Sequence, residues 1–193
     1  MSTGEIARGT EGALKFLTGD RAAPLYFENS IEACLRSFRV MLLAAPLYAL
    51  CRVLNYATVA VEADDTEIIL VEGLHFVADW LLFPVLFYEI ARLRNWIDRY
   101  PRYISALNWI QLLFVVLETI AAVLVLQLPP LAGDLLNLAL LGFELYWFWM
   151  ATRLALGTNW LFSLGLLLMN WALSYFLSLF VIGHLGVHAL PGG

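Results

Sequence analysis

Three residues that could do chemistry stand inside an apolar stretch of the sequence. Glu72, His75 and Asp79 fall within VEGLHFVADWLLFPVLFYEIARLRNW, which covers residues 71–96. At 3.6 residues per turn, positions three and four apart share one face of a helix. Carboxylates and an imidazole on one buried face can relay protons, couple to an ion or form ion pairs. Because burial of an unpartnered polar group is costly, these side chains need partners or a function.

All three histidines of the chain fall near the same end of the predicted helices. His184 and His188 are four residues apart, and Glu72 with His75 forms an ExxH pair. Imidazoles at positions i and i+4 together with such a pair have a spacing that zinc, iron or haem can use. The other interpretation is that they are ordinary interfacial side chains. The sequence requires no cofactor, so Glu72, His75, His184 and His188 remain only candidates for metal binding.

A second set of polar residues falls near the middle of the apolar segments. Counting 1.5 Å per residue from one end places Arg52, Asp79 and Glu118 at a depth of roughly 14–16 Å, and Glu144 and Asn170 at about 20 Å. A charged side chain at the centre of a bilayer costs about 2.5–3.5 kcal/mol on insertion scales, so such residues face the bundle interior and find partners. We therefore predict a buried polar layer, with a direct ion pair between Arg52 and Asp79.

Several interpretations of this layer stay open. It can act as structural glue that determines which helices pair, or as a proton-relay or ion-coupling site in a transporter-like bundle. Contacts to the helices of a partner subunit are a third interpretation. One guanidinium cannot neutralise the carboxylates of Asp79, Glu118 and Glu144 together, so at least one of them is expected to be protonated.

The elements that must position these side chains are membrane-spanning helices. The chain has 193 residues, of which 62% are hydrophobic and 14% charged, whereas soluble domains are about half apolar and about a quarter charged. A single crossing needs roughly 20 helical residues. Five segments qualify, at 38–61, 68–91, 104–128, 131–152 and 158–183. The sequence predicts an all-α, polytopic membrane bundle with short connections between antiparallel neighbours.

A segment of different character precedes the five spans. Asn29 and Glu32 have the spacing of a capping box, and apolar residues after them share one helical stripe: Ile31, Cys34, Leu35 and Phe38. We predict that residues 1–36 form a cytoplasmic segment with a short amphipathic helix on the membrane surface and a second that runs into the first span. A dock for a cytoplasmic partner and a disordered tail are the alternatives. The transmembrane domain then covers 37–186, and 187–193 is a short tail on the outer side.

The distribution of Lys and Arg predicts the orientation. Ten of the eleven basic residues fall before or at the start of span one, between spans two and three, or after span four, and Arg52 lies inside span one. The loops at the opposite end, EADDTE and QLPPLAGD, contain no basic residue. Because positive residues stay in the cytoplasm, the N-terminus is expected inside and the C-terminus on the outer side. The expected location is a bacterial inner membrane.

Two classes of function fit these features. The first is a non-catalytic accessory, scaffold or assembly subunit of a membrane complex, because the loops are short and no phosphate loop, HExxH, Gly-x-Ser-x-Gly or CxxC motif occurs. The second is a small transporter, or a proton- or ion-coupled subunit, that uses the buried polar layer. An enzyme is the less favoured class. The expected partners are the lipid bilayer and other membrane subunits or a second copy of the chain, and no nucleic acid.

Overall fold

The computed structural model describes residues 2–189, and nearly all of its regular structure is α-helical. The helices are α1 (Thr3–Leu17), α2 (Ile31–Ser37), α3 (Val40–Tyr56), α4 (Asp65–Leu93), α5 (Tyr100–Val125), α6 (Pro130–Leu156) and α7 (Trp160–Leu185). A short 3-10 helix, Ala23–Tyr26, follows α1. Two-residue strands β1 (Val59–Ala60) and β2 (His188–Ala189) pair antiparallel. The predicted all-α architecture is confirmed.

Five helical segments are long and apolar enough to cross a membrane: Ile31–Tyr56, which joins α2 and α3, and then α4, α5, α6 and α7. They coincide with the five predicted segments to within a few residues, and they support a membrane-embedded protein. The first segment differs most, because it begins at Ile31 and not at residue 38, and it ends at Tyr56 and not at residue 61. There α3 ends at Tyr56, and the backbone amides of Glu62 and Ala63 donate to the carbonyl of Leu185, each over 3.2 Å. Within the predicted span, Val59 and Ala60 form β1 and pair with β2 instead of continuing the helix.

Local signals define the helix ends. Asp64 caps α4 by accepting from the backbone amides of Thr66 and Glu67, and Asn159 caps α7 by accepting from Phe162 over 2.8 Å. These are oxygen-bearing side chains that satisfy the free amides of a first helical turn. Gly186 ends α7 in the left-handed region, with φ +62°, where a side chain would be strained.

α5 is the central helix of the bundle, and it packs mainly between α3 and α6. α4 packs mainly on α7, and α7 also contacts α6. Polar contacts link α5 to its neighbours: the hydroxyl oxygens of Tyr103 and Thr152 lie 2.8 Å apart, and Asn108 Nδ2 donates to Ser37 Oγ over 2.8 Å.

We call the end of the bundle that carries the α3–α4 and α5–α6 connections the distal end, and the opposite end the proximal end.

An N-terminal helix precedes the five, as predicted, and it packs on the bundle at the proximal end. Trp147 Nε1 of α6 donates to the carbonyl of Ala13 over 2.8 Å. At Gly9, α1 approaches Trp109 of α5 so closely that a Cβ would lie 2.2 Å from a ring atom. Ala13 and Phe16 are fully buried. The buried face of α1 is therefore covered by the chain's own helices.

The predicted capping box at Asn29 is wrong. Ser30 is the N-cap of α2, and its hydroxyl accepts from the Ala33 amide over 3.1 Å. Asn29 instead reaches the α4–α5 connection, where its Nδ2 donates to the carbonyl of Asp98 and its Oδ1 accepts from the Arg102 amide over 3.3 Å. The long-range contacts of Asn29 could not be read from local spacing.

Candidate functional site

All five long helices line one cavity in the interior of the bundle, with a volume of about 310 Å³. We call it the central cavity. The structure brings every residue of the predicted polar layer to its wall: Arg52 from α3, Asp79 from α4, Glu118 from α5, Glu144 from α6 and Asn170 from α7. Because these polar side chains come from five different helices, it is the tertiary structure that brings them together.

Helical periodicity explains why further polar side chains reach the same cavity. His75 precedes Asp79 by four residues on α4, and Gln111 precedes Glu118 by seven on α5. On α7, Ser174 follows Asn170 by four. Spacings of four and seven keep side chains on one helical face. His75, Gln111 and Ser174 therefore line the central cavity as well.

The carboxylate of Asp79 is held by neutral donors. Gln111 Nε2 donates to its Oδ2 over 3.2 Å, and the hydroxyl of Ser174 donates to its Oδ1. Helices α5 and α7 thus supply the partners that keep this carboxylate at the cavity wall. Neither partner was identified from the sequence, although the seven-residue spacing of Gln111 from Glu118 was a usable signal.

The predicted direct ion pair between Arg52 and Asp79 is wrong. Among residues 2–189, no carboxylate lies within ion-pair distance of the Arg52 guanidinium. The guanidinium carbon instead lies 5.2 Å from the centroid of the Tyr48 ring, a distance typical of a cation–π contact. The buried Nε atom of Arg52 has no hydrogen-bond partner among residues 2–189. Arg52 and Asp79, which were predicted at similar depth, do line the same cavity. Arg52 contacts Tyr48, however, and Asp79 contacts Gln111 and Ser174.

Glu118 and Glu144 line the central cavity, and the described part of the chain offers their carboxyl groups no partner. Within residues 2–189, neither carboxyl group makes a hydrogen bond or an ion pair. Both residues are half-buried, and a polar group without a protein partner is normally hydrogen-bonded to water. These two carboxyl groups are therefore free to contact whatever occupies the cavity.

Glu72 belongs to a separate cluster that joins α3 to α4. It is only 7% exposed and accepts from the hydroxyls of Tyr48 and Tyr56. The Tyr48 oxygen lies 2.9 Å from His75 Nδ1, which is also 3.5 Å from Glu72 Oε2. Since Tyr48 gives its single proton to Glu72, it must accept from His75, so the Nδ1 atom of His75 is protonated. The sequence pattern did not identify Tyr48 and Tyr56, whose hydroxyls complete this cluster.

Among the described residues, the four metal-ligand candidates do not come together in one site. Glu72 and His75 form the cluster just described, whereas His184 Nε2 contacts Glu67 Oε1 over 3.2 Å. His188 is not on the face of His184, because α7 ends at Leu185 and the chain then turns at Gly186 into β2. Within residues 2–189, no group of three or more His, Cys, Asp and Glu side chains is arranged to hold a metal ion.

No protein-family model, curated protein or solved structure matches this chain. The central cavity is the candidate site because of its geometry. It is lined by five helices, it collects three carboxyl groups and one guanidinium, and two of its carboxyl groups have no partner within residues 2–189.

Proposed function

We propose that this protein is a small transporter, or the ion-coupled subunit of one, that moves protons or another small cation through its central cavity. The observation that carries the proposal is the pair Glu118 and Glu144, which face the cavity with no partner from residues 2–189. Ionisable side chains inside membrane bundles mark ion pathways and proton relays. If Glu118 and Glu144 served only to hold helices together, their carboxyl groups would have to form hydrogen bonds or ion pairs with the neighbouring helices.

The balance of charge at the cavity wall favours a cation. Asp79, Glu118 and Glu144 can carry three negative charges, against one positive charge on Arg52. A carboxyl group can take up a proton or coordinate a small cation through its oxygens. In this proposal Glu118 and Glu144 bind the moving cation. Asp79, fixed by Gln111 and Ser174, contributes a constant negative field beside them.

The proposal places the protein in a membrane with the proximal end, including α1, at the cytoplasmic side. This orientation rests on the basic residues Arg94, Arg99 and Arg102 near the proximal end, and on the acidic loop that ends at Asp65 at the distal end. A bacterial inner membrane fits it. The exposed side of α1 would then lie along the cytoplasmic membrane surface.

An accessory or assembly subunit of a membrane complex is the second candidate. Large apolar side chains cover the outward faces of α3, α4 and α7, among them Leu42, Leu74 and Phe176, the last 70% exposed. Such faces can contact lipid or the helices of another subunit. In that role the cavity residues would matter for assembly and not for flux.

The test is ion flux in liposomes that contain the purified protein. A pH-sensitive dye and, in a parallel set, a sodium-sensitive dye report the flux driven by a potassium diffusion potential. We expect flux above that of empty liposomes, and a loss of about tenfold or more in E118Q and E144Q, because an amide cannot take up or release the proton. The matched control is E89Q, since Glu89 pairs with Arg92 over 3.1 Å on the exposed surface of α4.

Each variant must show wild-type elution and melting temperature before its flux is compared. Wild-type flux equal to that of empty liposomes would contradict the proposal, and so would full flux in both E118Q and E144Q. If E118Q and E144Q lose a co-purifying membrane protein while flux is absent in all samples, the accessory role replaces the transport role.

A further inference from the structure

A second cavity, of about 510 Å³, lies between α3, α5 and α6. We call it the distal cavity. Its lining includes Thr58 and Val59, which follow α3, and Leu126, which follows α5. It therefore extends to the distal end of the bundle, whereas the lining of the central cavity reaches toward the proximal end as far as Leu107 and Asn108 on α5.

The two cavities share part of their walls. Four residues line both: Phe114 and Glu118 of α5, and Leu141 and Glu144 of α6. The junction between the cavities is thus formed by two carboxyl groups and two apolar side chains. Because Glu118 and Glu144 have no protein partner within residues 2–189, both can contact a molecule on either side of the junction.

The distal cavity suits hydrated cations. Of the residues that the structure describes, no Lys, Arg or His lines it, and its polar side chains are neutral or acidic, with Asn55 on α3 and Asn137 on α6. A volume of about 510 Å³ can hold many water molecules, since each needs roughly 30 Å³ in the liquid. The Arg52 side chain lines the central cavity and not the distal cavity.

We infer that the distal cavity is the water-filled access route for a small cation to the central cavity, and that Glu118 and Glu144 form the selective step between the two. A hydrated proton or monovalent cation passes the neutral amides of the distal cavity and meets two carboxyl groups at the junction. An anion meets only acidic and neutral groups before Arg52. The inference deepens the proposed function and rests on it for the identity of the moving species.

The test is the reactivity of engineered cysteines toward a charged, membrane-impermeant methanethiosulfonate reagent added to intact cells. The background replaces Cys34 and Cys51 by Ala. Asn137→Cys probes the distal cavity and Asn170→Cys the central cavity. Their matched controls on the same helices are Leu138→Cys and Leu168→Cys, whose native side chains are 64% and 53% exposed on the outer surface of the bundle. Only the thiolate reacts, and it forms in water and not in lipid.

We expect N137C and N170C to react about tenfold or more faster than L138C and L168C. Ala122 lines the distal cavity only, so A122F fills that cavity and should slow the reaction of N170C by a similar factor. I120F is the control for A122F, because Ile120 is exposed on the same helix and its enlargement leaves the route open.

Absence of reaction at N170C would overturn the inference, and so would a rate at N170C that A122F leaves unchanged. These results are distinct from failure of the proposed function. Flux in liposomes without reaction at N170C refutes the route alone, whereas the expected reactivities without any flux refute transport alone.

Discussion

The hydroxyl oxygen of Tyr48 lies 2.9 Å from Nδ1 of His75, and the same hydroxyl donates its proton to Glu72. Tyr48 thereby links a buried carboxylate to an imidazole while its ring lies beside the Arg52 guanidinium. Tyr48 and Tyr56 of α3, which both donate to Glu72, thus hold the polar groups of α4 in place at the edge of the central cavity. The cluster therefore joins α3 to α4, and its effect on stability can be measured separately from the proposed transport.

Removal of the Tyr48 hydroxyl should destabilise the protein. In Y48F, Glu72 loses one donor and His75 loses its acceptor, and a buried polar group left without a partner costs about 1–3 kcal/mol. Thermal unfolding in detergent should show a lower melting temperature for Y48F than for Y175F, because Tyr175 is half-exposed. Equal melting temperatures for the two variants would mean that water replaces the hydroxyl without cost.

Asp79 should be coupled energetically to Gln111 and not to Arg52. Gln111 donates to Asp79 over 3.2 Å, and residues that share a hydrogen bond show interaction free energies of about 0.5–3 kcal/mol. The double-mutant cycle of D79L with Q111L should therefore be non-additive. The cycle of D79L with R52L should be additive within experimental error. Strong coupling in the second cycle would restore the direct ion pair.

Replacing Gly9 or Gly4 of α1 by alanine should change the unfolding free energy of the protein in opposite directions. At Gly9 a Cβ would lie 2.2 Å from a ring atom of Trp109, whereas a Cβ at Gly4 meets nothing within 4 Å. G9A should therefore cost about 1–3 kcal/mol of unfolding free energy through overpacking. G4A should gain up to about 1 kcal/mol, because alanine is the better helix former. A neutral G9A would show that α1 does not pack on α5 in the folded protein.

The topology should alternate along the chain. Reporter fusions after residues 62, 97, 128 and 158 and at the C-terminus should read outside, inside, outside, inside and outside, because the basic residues collect at the proximal end. At each position, a reporter that is active only outside is compared with one that is active only inside, which controls for differences in expression. A C-terminal fusion that reads inside would contradict five crossings from a cytoplasmic N-terminus.

The sequence by itself determined the five apolar helices and the depth of their polar residues. Both depend on local quantities, namely the length of an apolar run and the rise of 1.5 Å per residue. Counting along the helices was therefore enough to select Arg52, Asp79, Glu118, Glu144 and Asn170, which the fold brings to one cavity. The same local reasoning could not identify Ser30 as the cap of α2, since Asn29 carries an equally suitable oxygen.

Only the tertiary structure decided which of these side chains contact one another. Depth leaves the rotation of each helix about its axis undetermined, and that rotation is set by packing of all five helices together. It places Gln111 and Ser174 on Asp79 and leaves Arg52 beside Tyr48. It also leaves Glu118 and Glu144 facing two cavities that no linear pattern could reveal, because each cavity is bounded by helices distant in the chain.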